Sequence, residues 1–178
     1  MMDLQEFLKV LEEEHELVKI KVEVDAKHEL GAICKIHNER PNSPALLFEN
    51  VKGHKIPVVG QLLASDRRVA LALGFSQEDV FEETVRRANR PLPTRLVASG
   101  PCQEVVYEGS YVDVTDLPLC TNNPRDGGPY ITAGHVILKD PEYGKNLSIY
   151  RMMLVSKNEV TIRFTPGFPH AASGIATS

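Results

Sequence analysis

Apolar periodicity changes character once along the 178 residues, and that change limits the folds open to the chain. Up to about residue 88, apolar side chains recur mainly at helical spacing, interrupted by short alternating runs. Beyond a segment holding Pro91, Pro93, Gly100 and Pro101, helical spacing disappears and two-residue alternation takes over. The stretch 89–101 therefore reads as a linker between two substructures, because proline and glycine interrupt both helices and strands. The expected fold class is α+β: an N-terminal α+β domain over residues 1–95, then a β-rich region over 96–178.

The first region yields specific elements. Asp3 followed by Glu6 is a capping-box variant, and Leu4, Phe7, Leu8 and Leu11 then follow helical spacing, so residues 3–14 should form an amphipathic helix. Val18, Ile20, Val22 and Val24 alternate with charged residues, as in a half-buried strand. A second helix is expected over His28–Asn38, ended by Pro41 and Pro44. Strands are expected at Ala45–Glu49 and Ile56–Gln61 around the Lys52-Gly53 turn. Asp66 can cap a helix that stops at Gly74, and Ser76 with Asp79 can cap another that reaches about Ala88. In the second region, strand patterns lie at Gln103–Tyr107, Ile131–Leu138, Asn146–Val155 and Val160–Phe164. Four strands joined by turns read as the start of an antiparallel barrel or sandwich.

Composition narrows the function classes. The formal net charge is −4, which disfavours a nucleic-acid partner. No apolar run is long enough to span a bilayer, and the N-terminus reads as an acidic helix rather than a signal peptide. Cys34, Cys102 and Cys120 are far apart and odd in number, which fits neither a zinc site nor a disulfide framework. Each is expected to be small and partly buried, in a reducing, cytoplasmic setting.

The stretch Asn146-Leu147-Ser148-Ile149-Tyr150-Arg151 carries the most chemical information. In a strand, Arg151 shares a face with Leu147, Ile149, Met153 and Val155. A guanidinium on an apolar face either snorkels to water or meets an anion: a carboxylate of the protein, a substrate carboxylate or a phosphate.

This stretch does not stand alone. Asp126-Gly127-Gly128-Pro129-Tyr130-Ile131-Thr132 opens the preceding strand, and the turn Asp140–Lys145 joins the two. Further back lie Asp3–Leu8 with Glu16-Leu17-Val18, then Ala45–Gly53, Arg67–Gly74 and Asp116-Leu117-Pro118. In this order, over nearly the whole chain, these motifs resemble the UbiD family of decarboxylases, which use a prenylated flavin mononucleotide. The resemblance implies that the second region begins a split antiparallel β-barrel that binds flavin. Family members are much longer, so residues 96–178 are expected to be a partial barrel domain and the chain the N-terminal portion of such an enzyme.

The resemblance also implies roles. Arg151 matches the arginine of a Glu–Arg–Glu network beside the reacting carbon, where it would orient the substrate carboxylate; neither glutamate has a matching position in residues 1–178. Asn146 matches a residue that helps hold a divalent cation, usually manganese, at the flavin phosphate; on the residues alone it equally well ends the preceding turn. Potassium is a further cation candidate. Ser148 and Ile149 match positions lining the flavin phosphate and ring system, and otherwise read as strand packing. Thr132 is expected to approach the flavin. His170 is the candidate for the family's metal-binding histidine, although a histidine in a Gly/Pro loop is more often solvated. His37 and His54 read as structural or surface residues.

The implied activity is non-oxidative, reversible decarboxylation of an aromatic, heteroaromatic or α,β-unsaturated carboxylic acid. A flavin prenyltransferase would supply the cofactor, and the complete enzyme would be a homo-oligomer. The alternatives are a flavin- or metal-binding fragment without catalysis, or an accessory subunit of a larger carboxylase or decarboxylase. The 178-residue chain alone is expected to be inactive.

Overall fold

The computed structural model describes residues 2–141 and 144–163. The chain is α+β, with helices α1 (Leu4–Glu13), α2 (Glu29–Asn38), α3 (Asp66–Leu73) and α4 (Val80–Ala88). Its strands are β1 (Leu17–Ile20), β2 (Ala45–Phe48), β3 (Val58–Gly60), β4 (Tyr130–Asp140), β5 (Gly144–Ser156) and β6 (Glu159–Ile162). Its residues cluster into two units: Met1–Val24 with Ala32–Tyr111, and Asp25–Gly31 with Val112–Ser178. Among the described residues, no helix is long and apolar enough to cross a membrane.

In the first unit, β2 is the central strand, parallel to β1 on one side and antiparallel to β3 on the other. Central position explains its composition: Ala45, Leu46 and Phe48 are all fully buried, as expected for a strand covered on both faces. The α1 capping box forms as read, with Asp3 Oδ1 accepting from the Glu6 amide at 2.8 Å and Glu6 Oε2 accepting from the Asp3 amide at 2.9 Å. Phe7 and Leu11 then pack with Ala45, flanked by Leu17, Leu62, Leu71 and Ala72. The helix α2 comes close to β3, because a Cβ on Gly60 would lie 2.6 Å from Cys34 Sγ.

Several local expectations need correction. The strand expected over Val18–Val24 is only Leu17–Ile20, because its partner β2 is four residues long; Val24 rejoins the sheet through a single parallel bridge to Val51. Val18 and Val22 are exposed, as suits an edge. The α3 cap is Ser65, whose hydroxyl accepts from the Arg68 amide, and Asp66 is the first helical residue. Gly74 closes α3 in the left-handed conformation, with φ 73°. Ser76 donates to Asp79 Oδ2 at 2.8 Å, but α4 starts at Val80 without a side-chain cap. Cys34 and Cys120 are half-buried, whereas Cys102 is exposed. No strand forms at Gln103–Tyr107; a single 3-10 turn at Pro101–Gln103 is followed by irregular chain.

In the second unit, β4, β5 and β6 make an antiparallel meander. The two-residue alternation beyond the linker was therefore legible, and no helix interrupts 130–163. Phe164, the expected end of the last strand, lies outside the described residues. Residues 25–31 join this unit through backbone bonds between His28 N and Thr121 O (2.8 Å) and between Thr121 N and Ala26 O (3.2 Å).

A charge sits in the interior of the first unit. Arg68, on α3, is 1% exposed. Its Nη1 donates to Glu16 Oε2 at 2.8 Å and Ser43 O at 2.9 Å, and its Nε to Leu62 O at 3.2 Å. Glu16 also pairs with Arg67. One side chain thus ties α3 to the turn before β1 and the turn before β2. Truncating one partner of a buried pair leaves the others desolvated and unpaired, at about 3–5 kcal/mol. Because Glu16 keeps Arg67, Arg68→Met should destabilise the first unit by the low end, about 3 kcal/mol. Urea unfolding should show this as a lowered midpoint; an unchanged midpoint would make the network ornamental.

Candidate functional site

The site is built on β5. Its odd-numbered side chains point to one face and its even-numbered ones to the other. Burial follows the same alternation from Lys145 to Arg151, the odd face being exposed and the even face half-buried. Leu147, Ile149 and Val155 are each at least 60% exposed, and Ile137, opposite Leu147 on β4, is 69% exposed. Arg151 stands on this open apolar face, so its desolvation cost is small.

Arg151 is nonetheless held. Its Nη2 donates to Asp126 Oδ1 at 2.6 Å, and its guanidinium lies over the Tyr130 ring, 3.8 Å from the centroid. Of the anions open to it on sequence grounds, the structure supplies a carboxylate of the protein itself. Half of the Arg151 side chain remains exposed. A guanidinium has five donors in a planar fork that matches a carboxylate, so N–H groups remain for a second anion.

The turn that carries Asp126 is fixed by its own side chains. Asp126 Oδ2 accepts from the Asn123 amide at 3.0 Å, Asn123 Oδ1 accepts from the Arg125 amide at 3.0 Å, and the Asp126 amide donates to Asn123 O at 2.9 Å. Gly127 and Gly128 then let the chain run against β5. A Cβ on Gly127 would come within 3.0 Å of Met153 Sδ. Pro129 O accepts from the Leu154 amide at 2.9 Å, which locks the turn to the strand. The Arg151 guanidinium holds the Asp126 carboxyl below the usual carboxylate range, helped by the Asn123 amide.

The register brings Thr132 to the same place. Ile131 pairs with Met152 and Gly134 with Tyr150, so Thr132 and Ala133 together oppose Arg151 in a β-bulge. Bulges re-aim side chains and concentrate near active sites. Gly134 is required beside it, since a Cβ there would overlap the Met152 methyl.

The other candidates divide by face. Asn146 and Ser148 lie on the even face, with Asn146 Nδ2 donating to Ser148 Oγ at 3.0 Å. Ile149 lies on the odd face with Arg151. The fold thus brings together Thr132, Ile149 and Arg151 at one place and Asn146 with Ser148 at another. The Asn146 amide orientation leaves its Oδ1 as a hard oxygen donor suited to a divalent cation. Among the described residues, no group of three or more His, Cys, Asp or Glu gathers to hold a metal. His170 lies outside the described residues. His37 is structural, its Nε2 sitting 2.9 Å from Pro44 O. Sequence reasoning missed Asp126 and Tyr130 as the partners of Arg151. Asp126 lies 25 residues away, and its only signal was membership in the Asp-Gly-Gly-Pro turn.

Two family models match the chain in succession. Residues 8–88 match the 3-octaprenyl-4-hydroxybenzoate carboxy-lyase N-terminal domain, and residues 95–173 match the Rift-related domain of the same carboxy-lyase. An uncharacterized protein of Aquifex aeolicus (strain VF5) is 35% identical over 189 residues, covering 91% of this chain and 38% of that protein. Among solved structures, an evolved dimeric form of the UbiD-class enzyme HmfF from Pelotomaculum thermopropionicum, in complex with prFMN, is 32% identical. It superposes with a TM-score of 0.84 over 93% of this chain and 39% of its own. The vanillic acid decarboxylase of Sedimentibacter hydroxybenzoicus in open form, with a truncated ShVdcD, is 34% identical, with a TM-score of 0.83 over 92% of this chain and 38% of its own. The chain thus spans under two-fifths of the length of these relatives. With both domain models matched in order along it, the chain belongs to the UbiD family.

Proposed function

We propose that this chain serves non-oxidative decarboxylation, or the reverse carboxylation, of an aromatic, heteroaromatic or α,β-unsaturated carboxylic acid, with prenylated FMN as cofactor. The observation that carries this reading is Arg151 on the open apolar face of β5, anchored by Asp126 and Tyr130 with donors to spare. When bound, the prenylated flavin supplies the electron sink for loss of carbon dioxide. Arg151 binds and orients the substrate carboxylate as a two-pronged cation, while Asp126 fixes the guanidinium and Thr132 faces it across the bulge. Ile149 and Leu147 offer a flat apolar surface for the flavin ring system. Asn146, with its amide turned by Ser148, contributes one oxygen to a divalent cation at the flavin phosphate, manganese or with potassium beside it, and His170 is a further ligand.

In this reading β4, β5 and β6 are part of a split β-barrel, whose remaining strands pair with the open edges of β4 and β6. A flavin prenyltransferase supplies the cofactor, and the complete enzyme is a cytoplasmic homo-oligomer. The second reading, a flavin- or cation-holding piece or accessory subunit without its own catalysis, has one observation in its favour. The carboxylate at Arg151 is Asp126, and the family's two acid–base glutamates have no position in the sequence. The ultraviolet–visible spectrum of the protein co-produced with a flavin prenyltransferase, together with measured carbon dioxide release, tests the proposal. Absence of any bound flavin would overturn both readings.

In an enzyme carrying this chain, Arg151→Lys should retain flavin and lose at least about 10²-fold in turnover, because lysine keeps the charge but not the planar fork. Asn146→Ala should instead lower flavin occupancy, read from the absorbance ratio of the purified protein. If Arg151→Lys strips the flavin, the two roles are assigned the wrong way round. The Asp126–Arg151 pair also predicts a pH signature. A carboxyl whose folded pKa is depressed contributes stability above its unfolded value, about 3.9, and loses it as pH falls through the folded value. The melting temperature of Asp126→Asn should therefore lie below that of the natural chain at pH 7, and the difference should close below about pH 4. A difference that stays constant to pH 2.5 would place the effect elsewhere.

A further inference from the structure

The segment Gln103–Tyr107 has the sequence pattern of a strand but is not one here. Val105, Val106 and Tyr107 are 69%, 65% and 69% exposed. After the 3-10 turn, whose bonds run from Gln103 N to Gly100 O and from Glu104 N to Pro101 O, the next backbone bond joins Tyr111 N to Glu108 O. Among the described residues, the backbone groups of Val105–Tyr107 pair with nothing. Three consecutive large apolar side chains and an unpaired backbone are together what an added strand needs: main-chain bonds for affinity and side chains for pockets. The apolar exposure extends upstream through Leu92 and Leu96, 89% and 96% exposed.

The occupant follows from length. This chain matches the solved UbiD-class enzymes over more than nine-tenths of itself but under two-fifths of them, so each carries about three-fifths of its polypeptide beyond the matched part. We infer that Gln103–Tyr107 is a strand without its partner, and that it pairs edge-on with a strand of the polypeptide that makes up those remaining three-fifths. The inference rests on family membership and not on the decarboxylase reading. Its readout needs no flavin, so the two can fail separately.

The probe is the part of Pelotomaculum thermopropionicum HmfF outside the matched region, produced as a separate polypeptide and mixed with this chain. Two measurements report on the segment: hydrogen exchange of the 105–107 amides, and alkylation of the exposed Cys102 beside it. Both should slow at least about tenfold on mixing, as amides do when an open segment becomes ordered. Val105→Pro and Val106→Pro each remove one main-chain donor from a position that bonds to nothing in the chain alone. At least one should abolish the protection, while Val106→Thr, which keeps the amide, should retain it. Unchanged exchange on mixing would overturn the inference. So would full protection in both proline variants. Protection in the chain alone, rising with its own concentration alongside a dimer in sedimentation, would assign the segment to a second copy and equally overturn it.

Discussion

The geometry at Arg151 depends on how closely the 123–128 turn can approach β5. Gly127 and Gly128 give the turn no side chains to hold it off Met153, and the backbone bond from Leu154 to Pro129 fixes the distance. Asp126 then arrives at the guanidinium, and Tyr130, two residues past the glycines, slides beneath it. A bulky residue at Gly127 would push the turn outward and separate the ion pair, even though it touches neither charge. The same tight path sets where β4 begins, and with it the register that puts the Thr132 bulge opposite Arg151.

Two arginines show how environment assigns different work to one side chain. Arg68 is buried, and its donors are met by a carboxylate and two carbonyls. A guanidinium so satisfied has nothing left to offer a ligand; it holds three segments together. Arg151 is half exposed and meets one carboxylate oxygen and one ring face. Asp126 and Tyr130 restrict its orientation without consuming its fork. A cation that is oriented but incompletely bonded is what recognition of a carboxylate requires, which is why the functional reading settles on Arg151.

The division of β5 into two faces bears on how a flavin would be held. Ile149 and Arg151 present a flat apolar surface with a cation at its end, whereas Asn146 and Ser148 turn to the other side and bond each other. A ring system and a phosphate with its cation make different demands, apolar contact for one and hard oxygen donors for the other. A single strand satisfies both by alternation. Adjacent residues such as Ser148 and Ile149 can thus serve opposite ends of one cofactor only where the ligand reaches past the strand end.

By itself the sequence determined the elements whose signals are local. The α1 capping box, the Gly74 stop, the buried central strand Ala45–Phe48 and the alternation of β4 and β5 could all be read from neighbouring residues, because caps, left-handed glycines and face alternation involve groups at most four positions apart. Family membership was legible for a related reason: the order of short motifs survives along the chain whatever their contacts. What only tertiary structure decided were the meetings across distance. Nothing local says that Asp126 reaches Arg151, that Arg68 is the buried charge and its neighbour Arg67 is not, or that β1 must stop where β2 stops. The Gln103–Tyr107 pattern shows the same limit from the other side. Its residues favour a strand, but a strand is a paired object, and a segment whose partner is not at hand stays irregular however well its side chains alternate.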